Sequence, residues 1–156
     1  MTKLEQNLAY FSKQQCSSQW GAFLTAFGTE VGQKAPISEM RALMLRLGIS
    51  MAKNIPQPSG NTLNELESSI NKIWFAMDWG WIELIEKESG LFIQHYAVPL
   101  HDSFGAAALA WSPAILEGIY SHWFANLGAG ASLQISQFEE AHPDSSLIVF
   151  CLGRVA

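Results

Sequence analysis

WGWIELIEKESGLFIQHYAV, residues 79–98, is where the pattern of this chain changes. Before it, apolar residues recur every three or four positions. Within it, aromatic and β-branched residues crowd into two runs, WGWIELIE (79–86) and LFIQHYAV (91–98). A four-residue turn, Lys87-Glu88-Ser89-Gly90, separates them, and Pro99 closes the second. That arrangement predicts a β-hairpin. On its first strand Trp79 and Trp81, two residues apart, share one face.

Upstream the spacing is helical. Thr62-x-x-Glu65 is a capping box, followed by Leu63, Leu66, Ile70, Ile73, Trp74 and Met77. Before the loop PQPSGN, Ile37, Met40, Leu43, Met44, Leu47, Met51 and Ile55 repeat at helical intervals, with Pro36 in the first turn. Gly48 inside that helix costs about 1 kcal/mol against Ala and implies a close neighbour. Trp20, Phe23, Leu24, Phe27 and Val31 mark one face of an earlier helix. Residues 4–15 are weakly amphipathic through Leu4, Leu8 and Phe11, and residues 1–15 read as a peripheral arm.

Downstream, the loop LHDSFGAAALAW leads to Ser112-Pro113, a cap residue and a proline at the first helical position. Leu116, Ile119, Tyr120, Trp123 and Leu127 form the buried face, and Gly128 ends the helix. ASLQISQF and LIVFCLGRV then read as two strands joined through EEAHPDSS. The expectation is a single α+β domain over residues 1–156: N-terminal helices, then β-hairpin, helix and β-hairpin, the strands forming a small antiparallel sheet packed on helices.

The composition narrows the function. Charged residues make up 15% of the 156, and the formal net charge is −5. Residues 1–87 carry eight basic and eight acidic side chains, whereas residues 88–156 carry six acids and one base, Arg154. A stretch from Glu88 to Gly153 without a cation offers no phosphate-binding face, which argues against nucleic acid and anionic membrane as partners. So sparsely charged an exterior favours self-association. Cys16 and Cys151 are isolated and read as small buried hydrophobes. The opening residues lack the apolar core of a secretory signal, and the longest apolar run, Phe104–Trp111, is too short to span a bilayer. The expected location is the cytosol, without membrane insertion.

No motif predicts catalysis or a cofactor. The four histidines, His95, His101, His122 and His142, fall in four different elements, and His101-Asp102 alone does not make a metal site. Gly128-Ala-Gly130 follows a helix and precedes a strand, the reverse of a dinucleotide fingerprint. A glucan hydrolase needs paired carboxylates, for which Glu83 and Glu86 are the candidates and solvated positions the simpler reading. The tryptophans fit core or subunit interface, and Trp79 with Trp81 also suits stacking on sugar C–H faces.

Two segments carry a resemblance. AMDWGWIELIE (76–86) runs a helix through a Trp-Gly turn into a strand, and WSPAILEGIYSHWF (111–124) has the pattern Pro-x-x-Leu-Glu-Gly-x-Tyr-x-x-Trp. With the Gly48 helix ending in Ile55-Pro56-x-Pro58, they resemble the D subunit of bacterial cellulose synthase operons over roughly Arg41 to Ile135. The resemblance implies a non-catalytic accessory protein that organises glucan export and promotes crystalline cellulose. It implies a homo-octamer of paired subunits, working with the inner-membrane synthase and a proline-rich partner; a periplasmic location is the alternative. It also implies a β-1,4-glucan path along the N-terminal segments. There, Lys3, Glu5, Gln6, Asn7 and Tyr10 carry the groups suited to sugar hydroxyls. Trp79, Trp81, Trp111, Tyr120 and Trp123 are the expected core or oligomer residues. The element order alone also fits a small-molecule sensor domain with an apolar pocket.

Overall fold

The computed structural model describes residues 2–14, 16–143 and 145–155. Four helices come first: α1 (Lys3–Gln14), α2 (Ser18–Lys34), α3 (Ile37–Ala52) and α4 (Leu63–Met77). The hairpin β1 (Trp81–Lys87) and β2 (Gly90–Tyr96) follows, then a short α5 (Leu100–Phe104), a 3-10 turn (Ala106–Ala110) and α6 (Ala114–Asn126). Strands β3 (Leu133–Gln137) and β4 (Leu147–Arg154) complete one antiparallel sheet in the order β1-β2-β4-β3. The α+β architecture is the one the sequence pattern predicts.

Glycine sets the closest helix crossing. A Cβ at Gly48 on α3 would run into the carbonyl oxygen of Ile115, and one at Gly118 on α6 into that of Leu45. Met40, Met44, Gly48 and Ala52 therefore form the buried line of α3, while Ile37 and Leu47 of the predicted apolar set stay exposed. Arg41 ties the crossing to the sheet. It donates to Glu117 Oε1 on α6 at 2.6 Å, and the same oxygen accepts the Gln137 N–H of β3 at 2.9 Å.

Several local expectations are corrected. Strand β1 starts at Trp81 because Asp78 and Gly80 take positive φ (56° and 79°), so Trp79 stays outside the strand and shares no strand face with Trp81. Lys87 pairs with Gly90, which shortens the turn to Glu88 and Ser89. Ser112 does not cap α6: its Oγ is buried without a hydrogen-bond partner among the described residues, and the chain enters α6 through backbone bonds from Ile115 N–H to Ser112 O and Leu116 N–H to Pro113 O. The stretch read as a loop, residues 100–111, forms α5 and the 3-10 turn. At α4 the box holds, Thr62 Oγ1 accepting from Glu65 N–H at 3.2 Å, while Glu65 reaches back to Asn61 N–H at 2.7 Å.

Candidate functional site

Helix α1 is capped by its own residues. Thr2 Oγ1 accepts from Glu5 N–H at 3.2 Å, and Glu5 Oε2 accepts from Thr2 N–H at 2.6 Å. The bond from the Thr2 backbone, then that with its hydroxyl, holds the Glu5 carboxyl below its usual range. At roughly 3.6 residues per turn, Lys3, Gln6, Asn7, Tyr10 and Gln14 fall within about 100° of arc, and Glu5 lies on the far side. Lys3, Gln6, Asn7 and Tyr10 thus share one exposed stripe, while Glu5 is engaged in the cap. The adjoining stripe is apolar: Leu4 and Phe11 are exposed and Leu8 is buried.

Helix α2 packs through its small residues. Thr25 Oγ1 donates to Ser103 O at 2.8 Å, Gly28 lies on the backbone of Phe104, and Gly32 lies under the Trp111 indole. That close approach leaves the predicted aromatic face uncovered: Trp20 and Phe23 are 54% and 57% exposed, and Phe27 39%. Their rings follow one another along the helix, with centroids 5.8 and 6.2 Å apart.

The other named aromatics divide by depth. Trp111, Tyr120 and Trp123 are buried inside the chain, and Trp79 is half-buried, stacked on Trp74 with centroids 5.8 Å apart. Beneath them His95 is fully buried, with Nε2 2.7 Å from Trp79 O and Nδ1 2.6 Å from the Tyr120 hydroxyl. A carbonyl can only accept, so Nε2 carries the proton and Tyr120 O–H donates to Nδ1. Burial holds the His95 pKa down to about 4 against the opposing Trp79 bond, and burial raises that of Tyr120. Neither residue lines a surface groove, and the pair satisfies two core polar groups.

The sheet presents one open face, and helix side chains bond backbone groups at both edges. Trp81 pairs with Tyr96, and their rings are parallel to within 17° with centroids 5.7 Å apart. Tyr96 O–H donates to Gln94 Oε1 at 2.9 Å, with Glu83 Oε2 at 3.4 Å. Neither Tyr96 nor Gln94 stands out in the sequence; counting pairs outward from the predicted turn sets Tyr96 opposite Trp81 and Gln94 opposite Glu83. At the β1 edge, Asn71 of α4 accepts from Ile82 N–H (2.7 Å) and donates to Ile82 O (3.0 Å), while Glu67 accepts from Leu84 N–H (2.8 Å). At the β3 edge Glu117 performs the same service for Gln137.

Two surface grooves are open rather than enclosed. One is lined by Ser59, Asn64, Glu65, Ser68, Ser69 and Lys72; the other, about 600 Å³, lies between Arg41, Leu109, Glu117 and residues 136–141. Glu83 and Glu86, three apart on β1, lie on opposite faces of the strand and cannot flank one bond. Among the described residues no three His, Cys, Asp or Glu side chains converge, and no helix is long and apolar enough to cross a membrane.

Fold and surface together define a small α+β protein with an aromatic core, a partly capped sheet and an exposed helical arm. The profile of the cellulose synthase D-subunit family matches residues 6–150, and the chain belongs to that family. Cellulose synthase operon protein D of Komagataeibacter xylinus is 30% identical over 103 residues, which is 65% of this chain and 66% of that protein. The protein of that name from Komagataeibacter sucrofermentans matches with the same identity and coverage, and another from Komagataeibacter xylinus at 27%. The chain thus spans just under two thirds of the length of these relatives.

Proposed function

We propose that this protein is a non-catalytic component of a bacterial cellulose synthase assembly that organises glucan chains for export and crystallisation. One observation carries the reading: α1 and α2 present an exposed polar stripe beside exposed apolar ones. Lys3, Gln6, Asn7 and Tyr10 supply donors and acceptors to a neutral polymer, at about 1 kcal/mol net per bond, so a chain is guided without being held. Leu4, Phe11, Trp20, Phe23 and Phe27 close against neighbouring copies. Helix side chains that cap part of both sheet edges support assembly through helices rather than strands. The assembled form is a homo-octamer built from dimers on the cytoplasmic side of the inner membrane, beside the synthase and a proline-rich partner.

The test is complementation in a cellulose-producing bacterium lacking its own D protein, reading cellulose yield and crystallinity. Wild-type chain restores both; a chain with Lys3, Gln6 and Asn7 changed to Ala restores less while keeping its mass in solution. Full restoration by that variant removes the arm from the glucan path. Failure of the wild type removes the scaffold role itself. A periplasmic reporter that becomes active on the native N-terminus overturns the location.

A further inference from the structure

We infer that the outer face of the sheet, at Trp81, Tyr96 and Gln94, is a second glucan-binding platform, separate from the helical arm. The inference rests on the cellulose-synthase reading above and adds to it a site on another element.

The register makes the platform. Ile82, Ile93, His95, Ile148 and Phe150 point into the core, so the alternating residues point outward, in rows that cross the strands. The first row sets Trp81 opposite Tyr96, and both rings remain partly open to solvent. The next row sets Glu83 opposite Gln94, and Tyr96 O–H already bonds the Gln94 carboxamide at 2.9 Å. The third row is Ile85 and Phe92; Phe92 is buried and meets Phe138 edge-on with centroids 4.9 Å apart, and Phe138 stands beside Val149 at the far end of the Glu83–Gln94 row.

An open aromatic pair beside a polar row matches the two kinds of surface a β-linked glucan presents. Each pyranose ring carries axial C–H groups on its faces and equatorial hydroxyls around its rim. Parallel aromatic rings take the C–H face. A carboxamide and a carboxylate beside them take adjacent hydroxyls, since one group offers a donor and the other only acceptors. A protein–protein interface has an apolar centre depleted of charge. Here Glu83 and Gln94 form the row directly beside the Trp81–Tyr96 pair.

Charge selects the same ligand. Among the described residues, Glu83 and Lys87 are the only charged ones that β1 to β4 direct outward, and Lys87 lies over the Phe92 ring, 4.6 Å from its centroid. Their charges cancel. A polyanion finds no cation cluster on this face, and a neutral polyhydroxyl chain needs none.

The experiment titrates the full chain with cellohexaose by calorimetry and measures its retention on amorphous cellulose. Trp81→Ala and Tyr96→Ala should each weaken binding about fivefold, and Trp81→Phe should retain most of it. The losses should persist when Lys3, Gln6 and Asn7 are also Ala, with mass and thermal unfolding unchanged. The platform is overturned if the wild type does not bind, if Trp81→Ala binds as wild type does, or if Trp81→Ala changes the assembly mass. Preference of this face for a proline-rich peptide over cellohexaose overturns it too. Restored cellulose yield without cellohexaose binding sinks the platform and spares the scaffold reading; failed restoration with Trp81-dependent binding does the opposite.

Discussion

Gly48 on α3 and Gly118 on α6 each lie against the backbone of the other helix, so that neither position has room for a Cβ. Met40 and Met44 pack beside this crossing, and Leu116 and Ile119 beside its other half. The motif Leu116-Glu117-Gly118 is thereby a packing device: its glycine admits α3, and its glutamate holds Arg41 and β3.

Gly48→Ala and Gly118→Ala should each destabilise the fold. Alanine gains about 1 kcal/mol in helix propensity, but forcing two backbones apart in a filled core costs more, for a net loss of about 2 kcal/mol. The midpoint of urea unfolding measures it. A midpoint equal to or above wild type would show that the crossing relaxes freely.

The buried His95 produces a pH dependence of stability. Its pKa falls from 6.5 in the unfolded chain to about 4 in the fold, because burial penalises the imidazolium. The neutral pair therefore supports folding fully above pH 6.5 and progressively less as pH drops toward 4. The loss totals about 3 kcal/mol. Urea unfolding at about pH 7.5, 5.5 and 4.5 should show it. Replacing His95 and Tyr120 together by Phe removes the titrating group, at the cost of the donor to the Trp79 carbonyl, and should flatten the profile over that interval.

Asn71 satisfies both backbone groups of Ile82 at the open side of β1. Asn71→Ala should lose about 2 kcal/mol and leave a free strand edge, raising aggregation on heating. Light scattering during thermal unfolding checks this, with Lys72→Ala, one residue along the same helix, as control. Equal scattering from the two variants would show that the edge is closed by other means.

Trp20, Phe23 and Phe27 contribute little to the folded chain, since α2 docks through Gly28 and Gly32. Changing the three to Ala should move unfolding of the isolated protomer by less than about 0.5 kcal/mol each. Sedimentation should nonetheless show a smaller assembly than the wild type forms. An unchanged mass would remove this stripe from the contacts between copies.

Local pattern was enough for the class of fold. Period-four spacing before Asp78 and period-two runs after it place four helices ahead of a hairpin, because each period is a property of the backbone itself. The Thr62 cap, the neighbour implied by Gly48 and the stop at Gly128 were equally legible, each depending on a few adjacent residues. Tertiary structure decided the rest. Only packing reveals that α2 docks through Gly28 and Gly32 and leaves its aromatics outside, since an apolar stripe does not say what meets it. The left-handed turn at Asp78 moved Trp79 off the strand, and the ring stacking of Tyr96 on Trp81 depends on how both side chains lie on the formed sheet. The candidate sites lie where the chain returns on itself, at Trp81 with Tyr96 and at His95 with Tyr120. Partners fifteen and twenty-five residues apart meet through sheet register and helix docking, which no local window contains.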